Sequence, residues 1–130
     1  MKSTFLALSV VLFFTQLVFA ESFGSKPKAC PSIAIIQADG VNDAMKIGDM
    51  WAGFHKSHYD TQEEWSLVIM MRNAKNKEDV VTKSNAAISL FSKIKGPAMG
   101  IQTGEWVCGY EPNHPDIFFT IAITPPRFIN

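Results

Sequence analysis

Two cysteines, Cys30 and Cys108, are the only ones in this 130-residue chain, and they constrain its folding more than any other feature. In an oxidising compartment an even pair most simply forms one bridge. A residue near the start of the domain must then lie beside one near its end. Closing a loop of roughly 80 residues contributes about 4–5 kcal/mol in the chain-entropy model. No C-x-x-C arrangement directs these thiols to redox or metal chemistry.

The N-terminus supplies the compartment. Lys2 precedes an apolar stretch from Phe5 to Leu17 that is broken only by Ser9, Thr15 and Gln16. Val18-Phe19-Ala20 then places small or medium side chains three and one residues before a cut at Glu21, the pattern of an export signal. The apolar run is about 15 residues, short of the roughly 20 that cross a bilayer. We therefore read residues 1–20 as a signal peptide, 21–29 as a polar tether, 30–126 as one domain and 127–130 as a tail. The expected location is outside the cytoplasm, periplasmic or secreted, with no membrane span after processing.

Twelve basic residues balance twelve acidic ones, and loss of Lys2 leaves a net charge of about −1 with both signs interspersed. A nucleic-acid ligand would demand a basic stripe, and an anionic lipid surface a basic cluster. Neither pattern is present in the sequence, so no nucleic-acid partner is expected.

Within the domain, Asn76 can cap a helix whose first turn carries Glu78 and Asp79. Val80, Ala87, Ile88, Phe91 and Ile94 recur at three- and four-residue spacing, with Lys93 and Lys95 before Gly96-Pro97. The spacing predicts one helix over 77–95. Trp65, Leu67, Ile69 and Met71 alternate with a mixed set, and Ile117, Phe119, Ile121 and Ile123 alternate likewise, so both segments read as strands. Trp106, Cys108 and Tyr110 share one face of a third, in a stretch over 98–110 that a turn-rich connection joins to 117–124. Residues 46–59 read as extended, whereas Ile33–Gln37 fits a strand or a helical turn. The expected fold class is α+β: an antiparallel sheet of four or five strands with one helix packed on one face.

Enzymatic signatures are missing from the sequence. The serines lie in no nucleophile elbow, Glu63 and Glu64 are adjacent and diverge on a strand, and phosphate-binding glycine patterns do not occur. His114, between Asn113 and Pro115, reads as an exposed turn residue. The densest chemistry is His55-Lys56-Ser57-His58-Tyr59-Asp60. On a strand the two histidines point to opposite faces, so a joint zinc site fails. Tyr59, with His55 and His58 beside it, is the best local candidate for a ligand contact. Extended geometry places Tyr59 about 13 Å from His55, so only one of them would reach a given ligand atom. Met45, Met50, Met70, Met71 and Met99, with three tryptophans, suit a core or an adaptable apolar surface.

The frame Cys30-Pro31-Ser32-Ile33, Trp51, Tyr59-Asp60-Thr61, Trp65 and Trp106-Val107-Cys108-Gly109-Tyr110 resembles a family of small exported bacterial proteins. That family is largely of unknown function and is associated with intracellular pathogens; one member bears a haemin-binding label. The resemblance covers most of residues 30–125 and implies haem as a candidate cofactor, without site residues to carry over. Tyrosine and histidine are both known iron ligands of haem. The sequence thus leads to two expectations, both non-catalytic. One is an exported binder of haem or another planar apolar ligand; the other is a secreted protein that engages a host or partner protein through its surface. Intact mass of the exported protein should match a chain that begins at Glu21, and a soluble product retaining residues 1–20 would refute the signal peptide.

Overall fold

Ser32 starts the first element. Its hydroxyl accepts from Ile35 N at 3.4 Å and caps helix α1, Ile33–Asp39. Gly40, at φ +66°, ends the helix, and its N–H returns to Ile36 O. Residues 33–37 are therefore helical. In the computed structural model residues 25–126 are described. The expected signal peptide, residues 21–24 of the tether and the tail at 127–130 lie outside the described residues. Pro27 is buried, so the part of the tether that is described rests against the domain.

Strands β1, Asp43–Ile47, and β2, Met50–Ser57, form a hairpin across the two residues Gly48 and Asp49. Gly48 adopts φ +61°, the left-handed backbone that such a short turn requires. Strand β3, Trp65–Met71, follows, then helix α2, Lys77–Ile88. Strands β4, Lys93–Met99, β5, Trp106–Glu111, and β6, Ile117–Thr124, complete the domain. The sheet runs β1-β2-β3-β6-β5-β4, with every neighbouring pair antiparallel. The α+β class is as expected, with six strands instead of four or five and two helices among the described residues instead of one.

The second helix ends at Ile88, well short of residue 95. Ser89 Oγ donates to Ala86 O, and Leu90 N and Phe91 N bond to carbonyls three residues back, tightening the last turn. Ser92 N then reaches Glu111 O, and the chain enters strand pairing with β5. Lys93, Ile94 and Lys95 lie opposite Glu111, Tyr110 and Gly109, so the lysines read as a helix terminus belong to an edge strand. Periodicity could not separate the two cases. Phe91 is buried under either, here stacked on Tyr110 with ring centres 5.4 Å apart. The strand expected over 98–110 is likewise shorter, because residues 100–105 form a turn. Glu105 organises that turn, its carboxylate accepting from Ile101 N at 3.0 Å and its carbonyl from Gly100 N at 2.7 Å.

Both helices pack on one face of the sheet. Trp65, Leu67, Ile69 and Met71 of β3 point into that core, with Ile36, Val80, Ala87, Ile88, Cys108 and Tyr110. The Cys30–Cys108 bridge forms there as expected, with Cα atoms 5.9 Å apart. Beside it Tyr110 Oη donates to Pro31 O at 2.6 Å, a second tie between the N-terminal segment and β5.

Helix α2 sits close to β2 because Gly53 lacks a side chain. A Cβ there would fall 2.1 Å from Ser84 Oγ and 3.0 Å from Ser84 Cβ. Asn85 fixes the same helix to the loop before β1, accepting from Val41 N at 2.8 Å and donating to Val41 O at 2.9 Å. Gly53→Ala should therefore cost about 1–3 kcal/mol by overpacking, measured by chemical denaturation. Gly109→Ala, whose added carbon meets only Lys95 Cβ at 4.0 Å, should cost far less. Equal losses would mean that the helix does not bear on β2 at this point.

Candidate functional site

The cluster picked out in the sequence lies where β2 runs into the loop before β3. His55 is on β2, and the chain then turns through His58-Tyr59-Asp60, with Tyr59 in the left-handed region at φ 53°. That backbone is costly for a residue with a Cβ. Tyr59 N donates to Ser57 Oγ at 2.9 Å, and Thr61 N closes the turn on His58 O at 3.0 Å. Trp65 Nε1 donates to Thr61 Oγ1 at 2.8 Å, fastening the loop to β3. Asp60 accepts from Ser32 N at 3.0 Å, so the loop also holds the start of α1. This bond keeps the Asp60 carboxyl below its ordinary pKa despite some opposing desolvation.

The turn changes the geometry expected for an extended segment. His55 and Tyr59 are not 13 Å apart; their rings meet edge to face, with centres 6.0 Å apart. Tyr59 packs its ring against the main core, and its hydroxyl is buried with no hydrogen-bond partner among the described residues. Burial first, and the nearby Asp39 carboxylate second, push its pKa well above the ordinary value. His55 Nδ1 lies 3.3 Å from Asn42 Oδ1. His58 turns away, with Nδ1 3.0 Å from Gln62 O and Nε2 4.0 Å from a Glu64 carboxylate oxygen. His114 pairs with Asp116 in its own turn and is half-buried there, not exposed.

Haem does not fit this arrangement. A tyrosine ligand would have to present its oxygen to the iron, whereas the Tyr59 hydroxyl is buried and its ring packs against the main core. The two histidines diverge to separate partners. The depression adjoining the cluster, about 340 Å³, is lined by Lys28, Ala29 and residues 60–63, with no aromatic wall to lie against a macrocycle.

Two other features stand out on the surface. The face of the sheet opposite the helices carries a second apolar cluster. Ala52, Val68 and Met70 are buried at its centre, with Met45, Met50, Phe119 and Ile121 half-buried around them. The register aligns these side chains, with Met45, Ala52, Met70 and Phe119 in one row across four strands and Phe54, Val68 and Ile121 in the next. At the end of the sheet Ile47 is 38% exposed, and Phe118 is 43% exposed beneath the Arg72 guanidinium, 4.4 Å above its ring. The second feature is a groove of about 440 Å³ between β1 and α2, lined by Asn42, Asp43, Ala44, Lys77, Glu78, Val81 and Thr82.

Sequence reading missed both features. Its signal for the open face was the mixed set on β3, where Val68 and Met70 alternate with the core residues and make all seven positions buried. The groove joins residues some 35 positions apart, and no local pattern marks it.

The two tyrosines of the chain, Tyr59 and Tyr110, provide a direct test of the site, since burial drives both pKa values above the ordinary range. A raised pKa contributes stability that is fully present below the unfolded value of about 10 and is lost as pH climbs from there through the higher folded value. Absorbance at 295 nm should therefore show no phenolate near pH 10 and should rise only with cooperative unfolding, monitored by circular dichroism. A phenolate titrating near pH 10 in folded protein would show that one ring is open to solvent.

No curated protein and no solved structure matches this chain. A family model does match, over residues 29–128, which takes in both cysteines, the Tyr59 loop, the open sheet face and the groove. The chain belongs to the family described as Domain of unknown function (DUF4949).

Proposed function

We propose that this is an exported, non-catalytic binding protein that engages a partner protein through the open face of its sheet. The observation that carries this reading is the methionine- and phenylalanine-rich cluster on the face that neither described helix covers. Flexible thioethers adapt to a partner's contour, and phenylalanine supplies large apolar area at low entropic cost. Arg72 over Phe118 adds the kind of cationic and aromatic pairing enriched at protein interfaces. The Cys30–Cys108 bridge supports export, because such bonds persist in oxidising compartments.

The reading is tested by placing a photo-crosslinking amino acid at Phe119, and separately at Ala86, exposed on the helical side, in the exporting cell. Position 119 should yield a discrete protein adduct that position 86 does not. Ile121→Lys, in the same cluster, should abolish that adduct while circular dichroism shows the fold intact. Adducts of equal pattern from both positions would refute a face-specific partner. A saturable haemin spectrum that survives Ile121→Lys would instead restore the small-ligand reading.

A further inference from the structure

The two edges of the sheet are built differently. Edge strand β4 carries Lys93, Lys95 and Pro97, and its pairing with β5 shifts register between Lys95 and Ala98. Charge, a missing N–H and an irregular ladder are the usual means by which an edge repels further strands. Edge strand β1 has no proline, pairs with β2 in unbroken register from Asp43 to Ile47, and carries one lysine, Lys46, whose ammonium lies over the Trp51 ring 5.9 Å from its centre.

The hydrogen-bonding sense of β1 follows from its hairpin. In a two-residue hairpin the closing pair, Ile47 and Met50, is hydrogen-bonded, so Met45 and Asp43 also bond towards β2. The backbone groups of Ala44 and Lys46 then point away from the sheet. Asp43 Oδ1 accepts from Ala44 N at 2.8 Å, so a side chain of the strand itself occupies the position of a neighbouring strand's carbonyl. Beside this edge lies the β1–α2 groove, with half-buried Val81 on the helix, carboxylates on Asp43 and Glu78, and a single ammonium on Lys77.

We propose that the groove takes an extended segment of a partner protein, which adds to β1 as a seventh strand and places a basic side chain beside Asp43 and Glu78. Main-chain bonds to Ala44 O and to Lys46 N and O supply affinity, and Ala44 N joins them once Asp43 Oδ1 leaves it for the basic side chain. The alternate side chains of the segment enter the groove, where Val81 accepts an apolar one and the two carboxylates select a positive one. The proposal rests on the protein's being a partner-binding module, but not on the open face, since it uses the opposite side of β1.

The probe is a fluorescein-labelled decapeptide of alternating valine and threonine with a central lysine, titrated into the mature, disulfide-closed protein. Anisotropy should saturate, and a central glutamate should weaken binding at least about tenfold. N-methylation of one alternate set of amides should abolish binding, and methylation of the other set should leave it intact. Lys46→Pro removes an outward N–H that no ladder bond uses, so the fold should survive and binding should fall at least about tenfold; Lys46→Ala should bind normally. Thr82→Trp, which fills the groove from an exposed helical position, should have the same effect as Lys46→Pro and replaces it if that variant does not fold. No saturable binding up to millimolar protein, or indifference to both methylation patterns, would overturn the proposal. So would a dimer in sedimentation that dissociates in Lys46→Pro, because the edge would then belong to a second copy. Phe119 adducts that persist in Lys46→Pro would leave the open-face reading standing whatever the peptide result.

Discussion

Everything on the helical side of the sheet depends on how the N-terminal segment is held against β5. Cys30 and Cys108 join covalently, and Tyr110 Oη bonds to Pro31 O two residues along the same strand face. Asp60 then takes Ser32 N, so the first turn of α1 is anchored both to β5 and to the loop after β2. This helix has seven residues and could not persist alone, since isolated helices under about 12 residues are marginal in water. Its position is imposed by these ties. The bridge thus does more than reduce the freedom of the unfolded chain: it brings α1 beside α2, where Gln37 Nε2 donates to Ile88 O.

The Tyr59 loop is a product of the same arrangement. Its left-handed backbone and its unpartnered hydroxyl are both unfavourable, and strain of this kind persists only where surrounding contacts over-determine the chain. Here they do, through Ser57, His58, Thr61, Trp65 and Ser32. A cluster that looks reactive in sequence is thereby occupied in joining β2, β3 and α1. The chemistry of a tyrosine follows from where its hydroxyl points, and here it points inward.

Sequence alone revealed the parts governed by short-range rules. The Asn76 cap was legible because the residue type and the acidic first turn coincide, and Asn76 Oδ1 does accept from Asp79 N at 2.8 Å. The alternation in β3 and the shared face of Cys108 and Tyr110 were legible for the same reason. The β6 set is split instead, because a register shift at Met70–Met71 leaves Ile117 in the main core and puts Phe119 and Ile121 on the open face. The end of α2 was not, because Leu90, Phe91 and Ile94 satisfy helical spacing while their fate is settled by β5 across the sheet. Nor was Gly53, which reads as an interruption until Ser84, 31 positions later, is seen to occupy the missing side chain's place. The 13 Å separation failed at Tyr59, since nothing local distinguishes it from a residue that stays extended.

Both surfaces of interest arise from a mismatch of sizes. Six strands at about 4.8 Å spacing make a sheet roughly 24 Å wide, whereas the twelve residues of α2 make a rod about 18 Å long. Two short helices and an N-terminal segment can cover one face of such a sheet, with the bridge completing the cover over β5. They leave the second face to its own side chains, which is why Val68 and Met70 must be walled in by Met45, Met50, Phe119 and Ile121. They also leave β1 at the margin of the cover, with α2 alongside but not over its outer edge, and the groove is the gap that results. Partner binding at either place would extend the cover that the chain begins: across the open face by apolar burial, or along β1 by one more strand.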